Sequence, residues 1–540
     1  MMSKLNSSVA RGTSYLLIYL TAIQPLHPAI ATGITPDNNQ TQVQNQGNVP
    51  VVNIATPNDA GISHNTYKEF NIATQGAVLN NATQAAKSQL AGQLNANPNL
   101  HGKAAELIIN EVTGSGQSNL QGQLEIFGHK ANVMIANPNG ITCDGCGFIN
   151  TSSATLTTGK PQFDKQGALE ALEVKTGQIT IGGKGLDGKA TDYVDIISRA
   201  TELNGKIQAN NLSLTQGANR ISLKDGTVKP AAGEGVKPQL AVDTKALGGM
   251  YANKIRLVAT EEGVGVNLKE LTSHQRDITL NANGKIELGN INAKTDLNIV
   301  GKETRIAPNI NVQAGQDIIL ENTTLDNKGS VTAGRDMRIF GDTVRNSGNK
   351  ALLQANNNMW IQKNAQGDKS HLIENRSATI KTNKGDLVAR SHKMLNIRDL
   401  YLLSNIKPEK NDFLDFSNID DLSDMRNWFF IENYDSSLIS SGGNLYINSD
   451  NLLNINSEIH GKGDVFLTGS HFTSTKFINT ENLYNDNGNT YPHFIINSSH
   501  PVFNNPYYKY RNRQENDREI YPMDFKMHRG GKGTNPREHR

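Results

Sequence analysis

From about Thr32 to Ser198 the chain alternates short apolar stretches with Gly, Asn and Pro punctuation, as in Glu106-Leu107-Ile108-Ile109-Asn110, Leu124-Glu125-Ile126-Phe127 and Ala131-Asn132-Val133-Met134-Ile135. Such stretches predict strands of about four to six residues. Only Gly76 to Leu94 competes with that pattern. It is rich in Ala and Gln with few large apolar positions, and the sequence leaves it open between a loop and a short helix. Further on a period emerges. Arg276-Asp277-Ile278-Thr279-Leu280, Thr295-Asp296-Leu297-Asn298-Ile299, Gln316-Asp317-Ile318-Ile319-Leu320 and Arg335-Asp336-Met337-Arg338-Ile339 share a polar-Asp-apolar-x-apolar core whose Asp residues lie 19, 21 and 19 apart. A unit of about 20 residues has no interior of its own, whereas units stacked on one another make a continuous one. Alternation within each unit sends one side chain in and the next out. The expected fold is therefore all-β, a parallel β-helix with Asn and Gly at its corners and with Asn side chains bonding up and down the stack.

The register weakens after about Lys350. Gly385-Asp386-Leu387-Val388 repeats the unit, and an acidic excursion over 411–437 around Trp428-Phe429-Phe430 then interrupts it. That excursion lacks the D-x-D-x-D-G spacing of a calcium loop and is expected to be a solvated departure from the helix. Repeat-like pieces return at Gly443-Asn444-Leu445 and Gly463-Asp464-Val465. From Pro501 onward Tyr, Arg, Asn and Pro dominate, and a poorly ordered basic tail is expected over 501–540.

Composition agrees with stacked strands and removes several functions. Charged residues make up 19% and apolar residues 36%, while there are 65 Asn and 49 Gly, too little bulk for Leu-rich helical layers. With 53 basic against 51 acidic residues the formal charge is +2, so no strong field gathers nucleic acid or anionic membrane, and no nucleic-acid partner is expected. Neither an H-E-x-x-H pattern, nor a G-x-S-x-G elbow, nor a phosphate-binding loop occurs, and Gly114-Ser115-Gly116 reads as a turn. His64, His101 and His129 read as surface or packing residues. A β-helical polysaccharide-active enzyme would need clustered carboxylates or calcium ligands that the sequence does not show. No enzyme, metal or cofactor is expected.

Lys4 and Arg11 precede the apolar run Tyr15 to Ile23, followed by Ala29-Ile30-Ala31. This pattern predicts a signal peptide over 1–31, cleaved between Ala31 and Thr32, with an apolar run too short to span a membrane as a helix. Export makes a disulfide permissible, and the only two cysteines stand in Thr142-Cys143-Asp144-Gly145-Cys146-Gly147. A zinc site needs further ligands and a redox centre a βαβ setting; a local clip of one turn is the expected role.

Two near-identical tetrapeptides remain, Asn97-Pro98-Asn99-Leu100 and Asn137-Pro138-Asn139-Gly140. By themselves they are tight corners, with Pro fixing φ and Asn bonding local backbone. Their context goes further. The run from Val133 to Thr142, with Gly147-Phe148-Ile149-Asn150-Thr151 and Ala154-Thr155-Leu156-Thr157-Thr158-Gly159, resembles the secretion domain of two-partner secretion exoproteins, the filamentous haemagglutinin group. The block from Ala246 to Val258 resembles the segment that follows that domain. The resemblance spans roughly residues 30 to 345. It implies a right-handed parallel β-helix with an amino-terminal capping secretion domain, and export through the periplasm to the cell surface or medium of a Gram-negative bacterium. It also implies an outer-membrane β-barrel transporter partner with periplasmic recognition domains, and transient membrane association during export.

By the same resemblance Asn97, Pro98, Asn99, Leu100, Asn137, Pro138, Asn139 and Gly140 matter for secretion, either by touching the partner or by shaping the cap. The CxxC pair is more like the haemolysin and contact-dependent growth-inhibition branches. The implied organisation is a secretion domain over 32–270, repeats over 271–350 and an irregular continuation over 351–500. Members of the group commonly run far longer, so a short paralogue, a truncated product or a secretion module with a brief filament is expected. The leading functional expectation is a non-enzymatic adhesin, a rod presented to a host-cell or neighbouring-cell receptor. A cytolysin or a truncated contact-dependent inhibition exoprotein is the alternative.

Overall fold

A computed structural model describes residues 33–398, 435–455 and 457–475, and places further strands at 400–402, 428–430, 477–484, 490–496 and 507–508. The expected signal peptide, most of the acidic excursion and nearly all of the tail lie outside the described residues. The chain winds through three parallel sheets in the repeating order A, B, C. Sheet A begins with Ile62–Phe70, Leu107–Val112, Asn132–Ala136 and Ser153–Thr157; sheet B with Ser118–Leu120, Ile141–Cys143 and Gln178–Ile181; sheet C with Val49–Asn53, Ala77–Asn81, Gln123–Gly128 and Cys146–Ile149. Each strand pairs in parallel with its counterpart one turn away. This is the parallel β-helix expected from the period, and each turn advances by the strand spacing of about 4.8 Å.

The inward rows form the core. In sheet A one register column runs from Ile108 through Val133, Ala154 and Val194 to Ile255, and on through Ile278, Leu297 and Ile318 to Val465. Each of these side chains is buried. The apolar residues of the repeated units are thus stacked like on like, and burying each Leu or Ile is worth about 2 kcal/mol. Toward the amino terminus this column turns polar at Ser63, and the neighbouring inward row, which runs through Ile135, turns polar at Asn110 and Asn65. The buried Asn65 carboxamide accepts from Ala55 N (2.8 Å) and Thr41 Oγ1 (2.9 Å) and donates to Ser63 Oγ (3.0 Å). Antiparallel strands Ile34–Pro36 and Gln42–Gln46 complete this end. An open sheet edge is so converted into a closed cap.

Residues 76–94, left open by the sequence, are strands and not a helix. Ala77, Val78 and Leu79 are buried between the sheet C strands on either side, and residues 86–88 and 92–94 form a hairpin laid over that sheet. Burial of Val78 against Val51 and Phe127 overrides the helical propensity of Ala and Gln. A second covering layer is antiparallel: Lys160–Phe163, Leu169–Val174, Asn219–Ser222 and Val228–Pro230. Its Leu172, Val174 and Ile221 rest on Ile62, Ile109, Met134 and Ile197, which point outward from sheet A.

Two side-chain columns hold the later turns. Asp296, Asp317, Asp336, Asn358, Asp386, Asn444 and Asp464 occupy the same corner, where sheet C hands over to sheet A, and each Oδ1 but the last accepts the backbone N–H of the next member at 2.7–3.0 Å. At the corner between sheets B and C, Asn327, Asn346, Asn375, Asn396 and Asn454 each donate Nδ2 to the next at 2.8–3.0 Å, and Asn454 donates to Ser474 Oγ at 3.1 Å. All five amides are buried, and their spare N–H groups bond corner carbonyls such as Thr379 O and Glu458 O. At this corner Ser437 ties the strand Leu438–Ser441 to the earlier turns, its Oγ lying 3.0 Å from Asn375 O and 2.6 Å from Ile397 O.

Removing one rung leaves its neighbours buried and unbonded, which costs about 1–3 kcal/mol. Asn375→Ala is therefore expected to lower the local opening free energy of the turns around it by about 2 kcal/mol, read as lost native-state hydrogen-exchange protection at residues 344–346 and 394–396.

Candidate functional site

The two Asn-Pro-Asn corners share one local geometry. Asn97 Oδ1 accepts Asn99 N at 3.0 Å and Asn137 Oδ1 accepts Asn139 N at 3.0 Å, while the N–H of Leu100 and of Gly140 closes onto the carbonyl of Asn97 (3.2 Å) and Asn137 (3.1 Å). Pro98 and Pro138 supply the φ that such a turn needs. What each corner ties together differs. The buried Asn97 donates Nδ2 to Ile54 O (3.0 Å) and Asn80 O (2.9 Å), and Asn99 Nδ2 reaches Gln42 Oε1 (2.7 Å) and Gln40 O (3.1 Å). This corner therefore pins the hairpin layer to the capping strands. Leu100, at its end, is buried in the main core, and Pro98 faces solvent.

The second corner links sheet A to sheet B. Asn137 Nδ2 donates to Gly116 O (3.0 Å) and Ser118 Oγ (2.9 Å), and Asn139 Nδ2 to Gly114 O (2.7 Å). The Gly114-Ser115-Gly116 segment is thus the partner of this corner in the turn below. Gly140 takes a φ of +119°, and a Cβ there would stand 3.0 Å from Gln178 O. Gly177 of the next turn lies over Pro138 with φ +94°, and a Cβ on it would come 2.7 Å from Pro138 O. The motif is consequently packed from both sides.

Cys143 ends a sheet B strand and Cys146 begins a sheet C strand, and the two are disulfide-bonded with Cα atoms 5.3 Å apart. Both are buried in the core. The intervening turn is held by neighbours, since Lys184 N donates to Asp144 Oδ1 (2.8 Å) and Gly145 N to Gly185 O (2.8 Å). His64 contacts Glu111 (2.6 Å) and the Phe163 ring, His129 contacts Thr83 (2.9 Å), and His101 is exposed. Among the described residues no group of three or more His, Cys, Asp or Glu gathers in a way that would hold a metal ion.

Two tethers and one half-buried carboxyl were not legible in the sequence. The buried Glu125 carboxylate accepts from Ser88 Oγ (2.7 Å), Gln89 N (2.9 Å) and Leu90 N (2.9 Å), clasping the hairpin to sheet C. Arg199 forms a two-pronged pair with Glu261 (3.0 and 3.2 Å) and donates to Glu234 O (2.6 Å), which ties the antiparallel layer's return segment to the rod. Asp195 continues the outward row Ile109, Met134, Thr155 of sheet A. Burial pushes its carboxyl up to about 6, with Arg256 pulling the other way.

A rod of stacked turns with a closed amino-terminal end, overlain by two extra layers, defines a capped parallel β-helix. The family description "TPS secretion domain" matches residues 29–288. The chain is 55% identical over 282 residues to the 16S rRNA endonuclease CdiA of Enterobacter cloacae, covering 52% of this chain and 8% of that protein. It is 52% identical over 286 residues to the tRNA nuclease CdiA of Yersinia mollaretii, covering 53% and 10%. Among solved structures, the filamentous hemagglutinin secretion domain is 33% identical, covering 58% of this chain and 98% of that one with a TM-score of 0.46. The chain is a two-partner secretion exoprotein, related through its amino-terminal half to the CdiA proteins and exported to the cell surface or medium. It spans about a tenth or less of the length of those relatives, whose names carry nuclease activities; the matched family region is a secretion domain.

The site carries two expected outcomes. Reducing Cys143–Cys146, or replacing both by Ser, removes a constraint worth about 2 kcal/mol for so short a loop; exchange protection should fall over residues 141–149 while the far-ultraviolet circular dichroism of the rod is unchanged. Between about pH 4 and pH 6 the folded state holds the Asp195 proton more tightly than the unfolded chain does, so this group's contribution to stability declines as pH rises through that window. Asp195→Asn should therefore raise thermal stability at pH 7, on the order of 1 kcal/mol, with the gain vanishing near pH 4 in parallel melts.

Proposed function

We propose that the region over residues 32–270 is recognised in the periplasm by a dedicated outer-membrane β-barrel transporter with periplasmic recognition domains, and that the repeats over 271–350 with their continuation to 500 form a rod acting outside the cell as an adhesin. Cleavage between Ala31 and Thr32 frees the end that this recognition uses. No catalytic role is assigned to the rod. The Asn-Pro-Asn corners serve export by shaping the cap. The observation that carries this reading is that the side-chain oxygen and N–H groups of Asn97 and Asn137 bond inside the fold, so these amides have little left to offer a partner. Strand addition to a sheet edge suits such recognition, because backbone bonds give affinity and alternate side chains selectivity.

The test is export from a bacterial host with and without the paired barrel. The medium should contain the chain only when the barrel is present. Asn97→Ala with Asn137→Ala is expected to cut export at least about tenfold, as the loss of two buried rungs of about 1–3 kcal/mol each implies, whereas Pro98→Ser at the exposed position should leave it within about twofold. Normal export of the double variant would contradict the reading, and poor export of Pro98→Ser with the cap's exchange protection unchanged would transfer the role to direct contact.

A second reading is favoured by the 52–55% identity to the CdiA proteins. In it the rod serves contact-dependent inhibition of neighbouring cells. Competition co-culture separates the two: loss of a non-immune neighbour supports inhibition, and cell agglutination without loss supports the adhesin. Lysis of red cells by barrel-dependent supernatants would instead point to a cytolysin.

A further inference from the structure

The corner column from Asp296 to Asp464 has a polarity. In every rung the acceptor oxygen belongs to the earlier turn and the donor is a backbone N–H of the later one. The next residue along makes the opposite bond: Ile278 N, Leu297 N, Ile318 N, Met337 N, Met359 N, Leu387 N and Leu445 N each donate to the backbone carbonyl of the column residue one turn later. A completed turn therefore presents at one corner both a backbone donor and a side-chain acceptor, aimed at one residue of the turn not yet formed. That residue is the one entering sheet A, directly before the inward apolar pair, as in Asp317-Ile318-Ile319-Leu320.

We propose that this column is a template for folding in one direction: each folded turn captures the corner residue of the next before its apolar row is buried, so the rod grows from its closed amino-terminal end. This rests on the export reading and adds which residues set the direction. Loop closure over about 20 residues opposes each new turn before any burial compensates for it. A two-bond anchor at the corner brings the following Ile or Leu into register. Growth in the opposite direction, past the cap, is closed off, because Ser63 and Asn65 are already bonded to Ala55 and Thr41. Both Asp and Asn serve in the column, since Asn358 and Asn444 accept from Asp386 N and Asp464 N at 2.9 and 2.8 Å. The required feature is the Oδ1 acceptor and not the charge.

Two measurements on the purified full chain test this without any transporter, so that failure here is distinguishable from failure of the export reading. In pulse-labelled hydrogen exchange during refolding, protection at the N–H groups of Asp317 and Asp336 should precede protection at Asn444 and Asp464. Simultaneous or reversed order would overturn directional growth. In refolding followed by circular dichroism, Asp296→Ala with Asp386→Ala should fold at least about fivefold more slowly, with the unfolding rate changed less than about twofold. Asp296→Asn with Asp386→Asn should refold at the native rate, which keeps the proposal testable if the alanine variant does not fold. Slower refolding of the asparagine variant, or an alanine variant that only unfolds faster, would make the column a static brace and overturn the template.

Discussion

Every turn of this molecule depends on the turn before it for its hydrogen bonds. A parallel sheet built from a single winding chain has no partner except its own previous and next coil, so each backbone group is satisfied only by correct stacking. The inward apolar rows make the same demand, because a slip of one residue would put Ile278, Leu297 and Ile318 on the outside. The Asp/Asn and Asn columns reinforce that register at two of the three corners.

The dependence leaves the ends as the weak points. At the amino terminus the problem is solved by polar closure at Ser63 and Asn65, by antiparallel capping strands and by two layers laid over sheets A and C. The Asn-Pro-Asn corners and the Cys143–Cys146 bond belong to this reinforced region, whereas the side-chain columns begin only at Asp296 and Asn327. The early turns are held by added layers and tethers, the later ones by repetition. Such a division suits a chain whose first part must be complete before the rest is added.

Much of this architecture was legible in the sequence, for a physical reason. A rung needs Asp or Asn at one fixed place in each turn, so Asp296, Asp317 and Asp336 write the period directly into the chain, with Asp277 at the same place one turn earlier without a rung, and Asp386, Asn444 and Asp464 carry it past the excursion. Asn358 fills the same place without standing out, because Asn is so common here. For the same reason the buried Asn ladder was expected in kind, while Asn327, Asn346 and Asn375 could not be told from the surface asparagines. The antiparallel layer was hidden more deeply: Leu172 pairs with Ile221 across nearly fifty residues, and nothing local marks that pairing. Glu125 and Arg199 were equally silent, since a buried carboxylate and a buried guanidinium are recognised by their partners and not by their neighbours in sequence. At the Asn-Pro-Asn motifs the turn chemistry was readable, but the inward destinations of the amides were not.

The central claim is that the capped amino-terminal turns are a self-sufficient foundation and the later turns are not. It is tested most directly by preparing residues 33–288 and residues 289–475 as separate chains and following each by circular dichroism through thermal unfolding. The account predicts a cooperative β-sheet transition for the first and no cooperative transition for the second. A cooperative transition in residues 289–475 alone, with residues 33–288 unfolded, would contradict it.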